Sequence, residues 1–136
     1  MVRSSTRRCW GLSLRYELIE LGISREIVHL EIFDKQWATL GYDDWDLAKL
    51  QDYLLRTSQM HPVIRKTGGL RKARFALGKT GKSGGLRVLY ADFPKHGIMY
   101  LFDVYSKTDK ENISENDKRD FKEFLRVIAK NLEESA

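Results

Sequence analysis

The sequence predicts a small α+β domain, an antiparallel sheet with helices on one face, in the order β-α-α-β-β-β-α. Three observations support this fold class. The 136 residues suit a single domain. Two helical stripes follow the first strand-like run, and three further strand-like runs are separated only by short turns. An amphipathic helical pattern closes the chain.

The first ordered segment is a strand over residues 26–33. Val28, Leu30 and Ile32 alternate there with the intervening side chains, as they do on the two faces of a strand. His29 lies in this run without any partner motif. We therefore expect an edge or half-buried histidine rather than a catalytic one.

Two helices are predicted next, and both have recognisable ends. Residues 34–40 form a short helix that Gly41 terminates, and Asp43 with Asp46 three residues later can cap a second helix running to about Ser58. The apolar stripe of the second helix is more typical of a core than of a cofactor site, and it comprises Leu47, Leu50, Leu54, Trp45 and Tyr53.

The remaining elements are a three-stranded meander and a last helix. The strand-like runs cover residues 70–77, 86–93 and 98–105, and glycine-rich or Pro-Gly separators favour hairpins. Ser114 and Asp117 resemble a capped helix start. The predicted buried face of that helix comprises Phe121, Phe124, Leu125, Ile128 and Leu132.

Composition excludes several classes of protein. No segment approaches the roughly 18 consecutive apolar residues of a membrane helix. A lone Cys9 forms no internal disulfide and no zinc-ligand spacing, which favours a reducing, cytoplasmic setting. Residues 1–24 are interpreted as an extension of uncertain role that adds no strand, and the domain is expected over residues 25–136.

Positive charge is concentrated in the middle of the chain. Residues 62–110 carry 11 basic and 3 acidic side chains, a net +8, whereas both flanking segments are slightly acidic. Residues 65–87 alone hold eight Lys or Arg and no acid. This density favours an anionic polymer as partner over a merely solvated face, which normally mixes charges of both signs.

Two overlapping matches to the phosphate-loop pattern end at Gly78-Lys79-Thr80 and Gly81-Lys82-Ser83. That loop works by placing phosphates at the N-terminus of a following helix. Here the next residues, 86–90, alternate like a strand. The pattern therefore does not indicate a nucleotide site.

Strand alternation gathers cations and a phenol on one face. Lys72, Arg74, Arg87, Tyr105 and Lys107 are predicted to share a concave, helix-free face, unless this is an ordinary solvated sheet surface. The cluster has no paired carboxylates, histidine group or Ser/His/Asp arrangement. Cations and phenols suit a phosphodiester, and RNA supplies its own 2′-hydroxyl nucleophile, so a ribonuclease without metal or other cofactor is chemically reasonable.

An ordered set of motifs resembles the RelE/HigB-type toxins of bacterial toxin–antitoxin pairs. The similarity covers about residues 26–132 and is carried by Thr67-Gly68-Gly69-Leu70-Arg71-Lys72-Ala73-Arg74-Phe75-Ala76, Gly81-Lys82-Ser83-Gly84-Gly85-Leu86-Arg87-Val88-Leu89-Tyr90, Val104-Tyr105-Ser106-Lys107 and Glu111-Asn112-Ile113-Ser114. The resemblance implies a messenger-RNA endonuclease acting in the ribosomal A site. It also implies an antitoxin partner, often with a helix-turn-helix domain.

The resemblance assigns roles at matching positions. Lys72 and Arg74 match paired basic positions, Arg87 matches the arginine after the glycine turn, and Lys107 matches a basic position ending the last strand. No tyrosine or histidine follows Tyr105, so Lys107, Tyr105 or Tyr90 would have to protonate the leaving oxygen. Further RNA contacts are expected from Arg65, Lys66, Arg71, Lys79, Lys82 and Tyr90.

Two alternatives to this function stay open. One is a catalytically weak relative that binds RNA or only an antitoxin, and the other is a ParE-like toxin with a non-RNA target. Asp103 shares strand parity with Lys107 and could also pair with one of the cations.

Overall fold

A computed structural model describes residues 22–76, 85–107 and 112–135, together with the backbone of residues 13–18. The strands are β1 (Ser13–Leu18), β2 (Ile23–His29), β3 (Arg71–Phe75), β4 (Leu86–Phe93) and β5 (Ile98–Ser106). The helices are α1 (Glu31–Leu40), α2 (Asp44–Thr57) and α3 (Glu115–Ser135), with a 3₁₀ turn at Pro94–His96. The predicted order of elements is confirmed from β2 onward.

The five strands form one mixed sheet in the order β1-β2-β5-β4-β3. Neighbours are antiparallel except β2 and β5, which run parallel. The expectation that residues 1–24 add no strand is wrong, because β1 pairs with β2 along its whole length, from Ser13 opposite Val28 to Leu18 opposite Ile23. A polar-interrupted segment can form an edge strand because only one neighbour is needed to satisfy its inner hydrogen-bonding groups.

The ends of α1 and α2 follow local chemistry. Gly41 ends α1 in the left-handed conformation, at φ 84°. At the start of α2, the Asp43 carboxylate accepts a hydrogen bond from the Asp46 amide at 2.9 Å, and the Asp46 carboxylate accepts one from the Asp43 amide at 3.3 Å. This reciprocal capping confirms the predicted start, although Trp45 is 76% exposed and does not belong to the core.

Helices pack on both faces of the sheet, so the expectation of one covered face is wrong. Consecutive residues of β4 point to opposite sides. Val88 and Tyr90 pack among α1 and α2 residues such as Leu50. Leu89 packs with Leu125 of α3, in a second core cluster. Each sheet face carries an apolar stripe, and each is buried by its own helical layer.

The register of β4 and β5 contains a bulge. Leu89 pairs with Asp103, but the next residue of β4, Tyr90, pairs with Leu101, so Phe102 is the extra residue on β5. Phe102 and Leu89 lie in the same core cluster, under α3. Because of the bulge, the consecutive residues Phe102 and Asp103 lie on the same side of the sheet.

The start of α3 is capped as predicted, since the Ser114 hydroxyl accepts a hydrogen bond from the Asp117 amide at 3.0 Å. Leu125 and Ile128 are buried against the sheet, whereas Phe124 is 42% exposed. Phe124 still touches Phe102, with ring centroids 5.9 Å apart. None of the described helices is both long and apolar enough to cross a lipid bilayer.

Candidate nucleic-acid interface

Backbone pairing brings three of the predicted site residues into one row across the sheet. Arg74 of β3 lies opposite Arg87 of β4, and Arg87 lies opposite Tyr105 of β5. Directly opposite residues of antiparallel strands have Cβ atoms about 5 Å apart and project on the same side. The row therefore lies on the sheet face that α3 partly covers.

Lys72 lies in the neighbouring row, on the same face. Its partners across the sheet are Leu89 and then Asp103. The Lys72 ammonium donates a hydrogen bond to the Asn112 side-chain oxygen at 3.0 Å. Asp103 is buried, and its carboxylate accepts a hydrogen bond from the amide of Val104 at 2.8 Å. We call Lys72, Arg74, Arg87, Tyr105 and Lys107 the basic face.

Arg87 and Lys107 both lie close to Gly85, at one end of the sheet. The amide of Lys107 donates to the Gly85 carbonyl at 3.3 Å. A Cβ placed on Gly85 would lie 3.6 Å from Nη1 of Arg87, so the guanidinium folds back along this glycine. Arg87 is only 8% exposed, whereas Arg74 and Lys107 are open to solvent.

The basic face is not free of helix, which corrects the sequence prediction. Tyr105 is 2% exposed and packs with Ile113 and Leu125, in the cluster between the sheet and α3. The helix thus forms one wall beside the row of arginines. A polymer that approaches this face meets the exposed side chains of Arg74 and Lys107 first.

Two residues expected to contact RNA lie on the opposite side of the sheet. Tyr90 is fully buried and its hydroxyl donates to the Ser58 carbonyl at 2.6 Å. Burial raises the pKa of the Tyr90 phenol strongly, so it is a poor proton donor. Arg71 shares this side and donates to the His61 carbonyl at 2.5 Å and to the Gln59 side chain at 3.2 Å. Both serve the packing of α2 on the sheet rather than the basic face.

The other predicted contacts lie around the loops. Arg65 and Lys66 are exposed in the turn before β3. The Lys118 side chain, with smaller contributions from Lys66 and Arg119, lowers the pKa of Glu115 at the start of α3. Lys79 and Lys82, and with them both phosphate-loop matches, lie outside the described residues. The strand β4 that follows those matches is present, as predicted.

Two histidines, His29 and His61, make hydrogen bonds within the fold and do not contact the basic face. His29 is buried, more deeply than expected, with Nδ1 2.9 Å from an Asp34 oxygen and Nε2 2.9 Å from the Gln51 amide. Nε2 of His61 lies 2.8 Å from the Thr57 hydroxyl, which in turn donates to the carbonyl of Tyr53. Across the described ranges, no three His, Cys, Asp or Glu side chains come together as they would around a metal ion.

The fold and the basic face together describe a small α+β protein with a cluster of basic side chains on one face of its sheet. A family-model comparison then matches residues 63–135 to the RelE toxin of the RelE/RelB toxin–antitoxin system. The match covers more than half of the chain and includes every residue of the basic face. The chain belongs to the RelE toxin family, so it is the toxin component of such a module and has a cognate antitoxin as partner.

One contact of the basic face, the hydrogen bond from Lys72 to Asn112, was not indicated by any pairing in the local sequence. Asn112 is 40 residues from Lys72 along the chain, and no periodicity or spacing connects them. Only the packing of α3 on the sheet brings the two side chains together.

Proposed function

We propose that this toxin is a ribosome-dependent messenger-RNA endoribonuclease that uses the 2′-hydroxyl of its substrate as nucleophile. The single observation that carries the proposal is the cross-strand pair of arginines, Arg74 opposite Arg87, beside Lys72 and Lys107. The family assignment supports it, since RelE toxins are generally endoribonucleases.

Two like charges directly opposite each other destabilise a sheet, by roughly 0.2–1 kcal/mol for a pair. An anion bound between the guanidinium groups reverses the sign of this interaction. Arginine also presents its donors in a planar fork that fits phosphate oxygens. The pair Arg74–Arg87 is therefore better suited to holding a phosphodiester than to stabilising the free protein.

The proposed reaction is an in-line transfer at phosphorus. The 2′-oxygen forms a bond to phosphorus as the bond to the 5′-oxygen breaks, which leaves a 2′,3′-cyclic phosphate and a free 5′-hydroxyl. Lys72 accepts the 2′-hydroxyl proton in its neutral amine form, and Arg74 and Arg87 stabilise the negative charge on the phosphoryl oxygens. Lys107, which is open to solvent, supplies the proton to the leaving 5′-oxygen, since Tyr105 is 2% exposed under α3.

The proposed dependence on the ribosome follows because the basic face alone positions a single-stranded message poorly. The exposed cations Arg74 and Lys107 fix a single-stranded message weakly, whereas a codon held by the ribosome in its decoding site is already ordered. Preorganised geometry can lower a barrier by several kcal/mol. The toxin would then act in the cytoplasm, on translated messages, until an antitoxin that carries a helix-turn-helix domain covers the basic face.

The test compares two messages on programmed ribosomes. One carries a single 2′-deoxy nucleotide before the expected cleavage point in the A site, and its matched control is all ribose. The expected result is cleavage of the control alone, with a 2′,3′-cyclic phosphate end detected by mass spectrometry. Equal cleavage of both messages would overturn the mechanism, and efficient cleavage of naked RNA would overturn the ribosome dependence.

A toxin that cleaves neither message but binds its antitoxin tightly would fit the alternative of a non-catalytic relative. Poisoning of a DNA topoisomerase by the purified protein would instead indicate a ParE-like target. The cleavage, antitoxin-binding and topoisomerase measurements together distinguish the three candidate functions.

A further inference from the structure

Asn112 contacts the basic face from outside it. Its side-chain oxygen accepts the hydrogen bond from the Lys72 ammonium at 3.0 Å, although Asn112 lies just before α3 and Lys72 lies on β3. All members of the basic face lie on strands, except Lys107, which directly follows β5. Asn112 is therefore a long-range addition that the α3 layer brings to the site.

The backbone around Asn112 is held by the two residues that follow it. Ile113 is 6% exposed and packs in the core with Leu89 and Tyr105. Ser114 caps α3 through its hydroxyl, which accepts from the Asp117 amide at 3.0 Å. These two residues anchor the backbone directly after Asn112 to the core and to the start of α3.

A fixed acceptor matters because a lysine side chain is flexible. A lysine side chain that is free in solvent samples many rotamers, and holding it in a single conformation costs this rotamer entropy. A hydrogen bond to a rigid amide selects one of these conformations before substrate arrives. Sites whose groups are positioned before the substrate binds lose less conformational entropy on reaching the transition state.

We propose that Asn112 is a positioning residue, whose amide oxygen holds the Lys72 amino group in the orientation needed at the scissile phosphate. The inference rests on the proposed ribonuclease function. It differs from a purely structural role, in which the hydrogen bond only ties the start of α3 to the sheet. A structural role would act on stability, whereas a positioning role acts on the chemical step and only through Lys72.

The experiment measures kcat and KM on programmed ribosomes for a small set of variants. Asn112→Ala should lower kcat about tenfold and leave KM nearly unchanged, because the arginines still bind the message. Asn112→Gln keeps a neutral amide oxygen that can accept the hydrogen bond and should recover part of the lost rate. The matched control is Asn131→Ala, an exposed asparagine near the far end of α3, which should behave as wild type.

A double-mutant cycle with Lys72→Met separates positioning from structure. If Asn112 acts through Lys72, then Asn112→Ala causes no further loss of rate in the Lys72→Met background. Additive losses would overturn the proposal. So would a wild-type kcat in Asn112→Ala, or an Asn112→Gln rate no higher than that of Asn112→Ala. A lower unfolding temperature that accounts for the whole effect would overturn it as well.

A second measurement does not depend on RNA cleavage. The rate at which an acylating reagent modifies Lys72, measured by peptide mass spectrometry against exposed Lys122 as internal reference, should rise severalfold in Asn112→Ala. An unchanged ratio would show that Asn112 does not restrain Lys72. If the wild-type protein cleaved no message at all, the proposed function would fail. The ratio of Lys72 to Lys122 acylation would still decide whether Asn112 holds Lys72.

Discussion

Replacing Arg87 by methionine separates function from stability at the centre of the basic face. Methionine retains an unbranched stem of similar length and removes only the guanidinium. Arg87 lies directly opposite Arg74, and it is 8% exposed, so its charge is held close to a like charge in a largely desolvated place. Removing that charge relieves a repulsion of roughly 0.2–1 kcal/mol.

The expected effects on stability and on rate therefore have opposite signs. The free energy of unfolding should stay constant or rise by up to about 1 kcal/mol. The cleavage rate should fall about 10²- to 10³-fold, the usual loss when one preorganised donor to a developing oxyanion is removed, about 2.7–4 kcal/mol. Urea unfolding and single-turnover cleavage on programmed ribosomes measure the two quantities in the same preparation.

The matched control is Arg56→Met on α2, an exposed arginine paired with Asp52 at 2.8 Å. Because exposed pairs contribute little, neither rate nor stability should change by more than a few tenths of a kcal/mol. The reasoning is refuted if Arg87→Met cleaves at the wild-type rate. It is equally refuted if the free energy of unfolding falls by about 3 kcal/mol, the result expected for a broken buried ion pair.

Three further predictions test the packing around the site. Tyr90→Phe leaves the Ser58 carbonyl without its buried donor, so urea unfolding should show a loss of about 1–3 kcal/mol, with unchanged cleavage by the folded fraction. Burial, and to a lesser extent Arg71, lowers the pKa of His61 below 6.5, so the unfolded chain binds the proton more readily. The free energy of unfolding should therefore fall as the pH drops through 6.5 and below, and His61→Gln should lack this component. Deleting residues 1–21 removes β1 and should lower the unfolding midpoint, whereas a midpoint equal to wild type would show that β1 adds nothing to the sheet.

Local chemistry made much of this fold readable from the sequence. Asp43 and Asp46 form a reciprocal cap because the side chains that can satisfy the first free amides of a helix are few and their spacing is fixed. The extent of β4, residues 86–93, and the opposite projection of Arg87 and Val88 follow from strand alternation. The row that joins Arg74, Arg87 and Tyr105 could be anticipated in the same way.

Edge strands and boundaries were less readable. The backbone of residues 13–18 forms β1, and the sequence SLRYEL alternates apolar and polar residues as a strand does, a signal that the interpretation of residues 1–24 as an extension passed over. Helix α1 begins at Glu31 rather than Asp34, because β2 ends at His29, whose ring is held by Asp34 and Gln51. Tertiary hydrogen bonds of this kind override the alternation that suggested a longer strand.

The sequence by itself determined the caps, the alternation of the strands and the concentration of positive charge, because each depends on residues within a few positions of one another. Only the tertiary structure decided that α3 covers the face opposite α1 and α2, that the bulge turns Phe102 toward α3, and that Tyr90 is buried. The same holds for the contact of Asn112 with Lys72, across 40 residues. These features depend on which apolar surfaces meet when the helices pack on the sheet. The free energy gained by burying apolar area does not depend on how far apart the residues lie in the sequence.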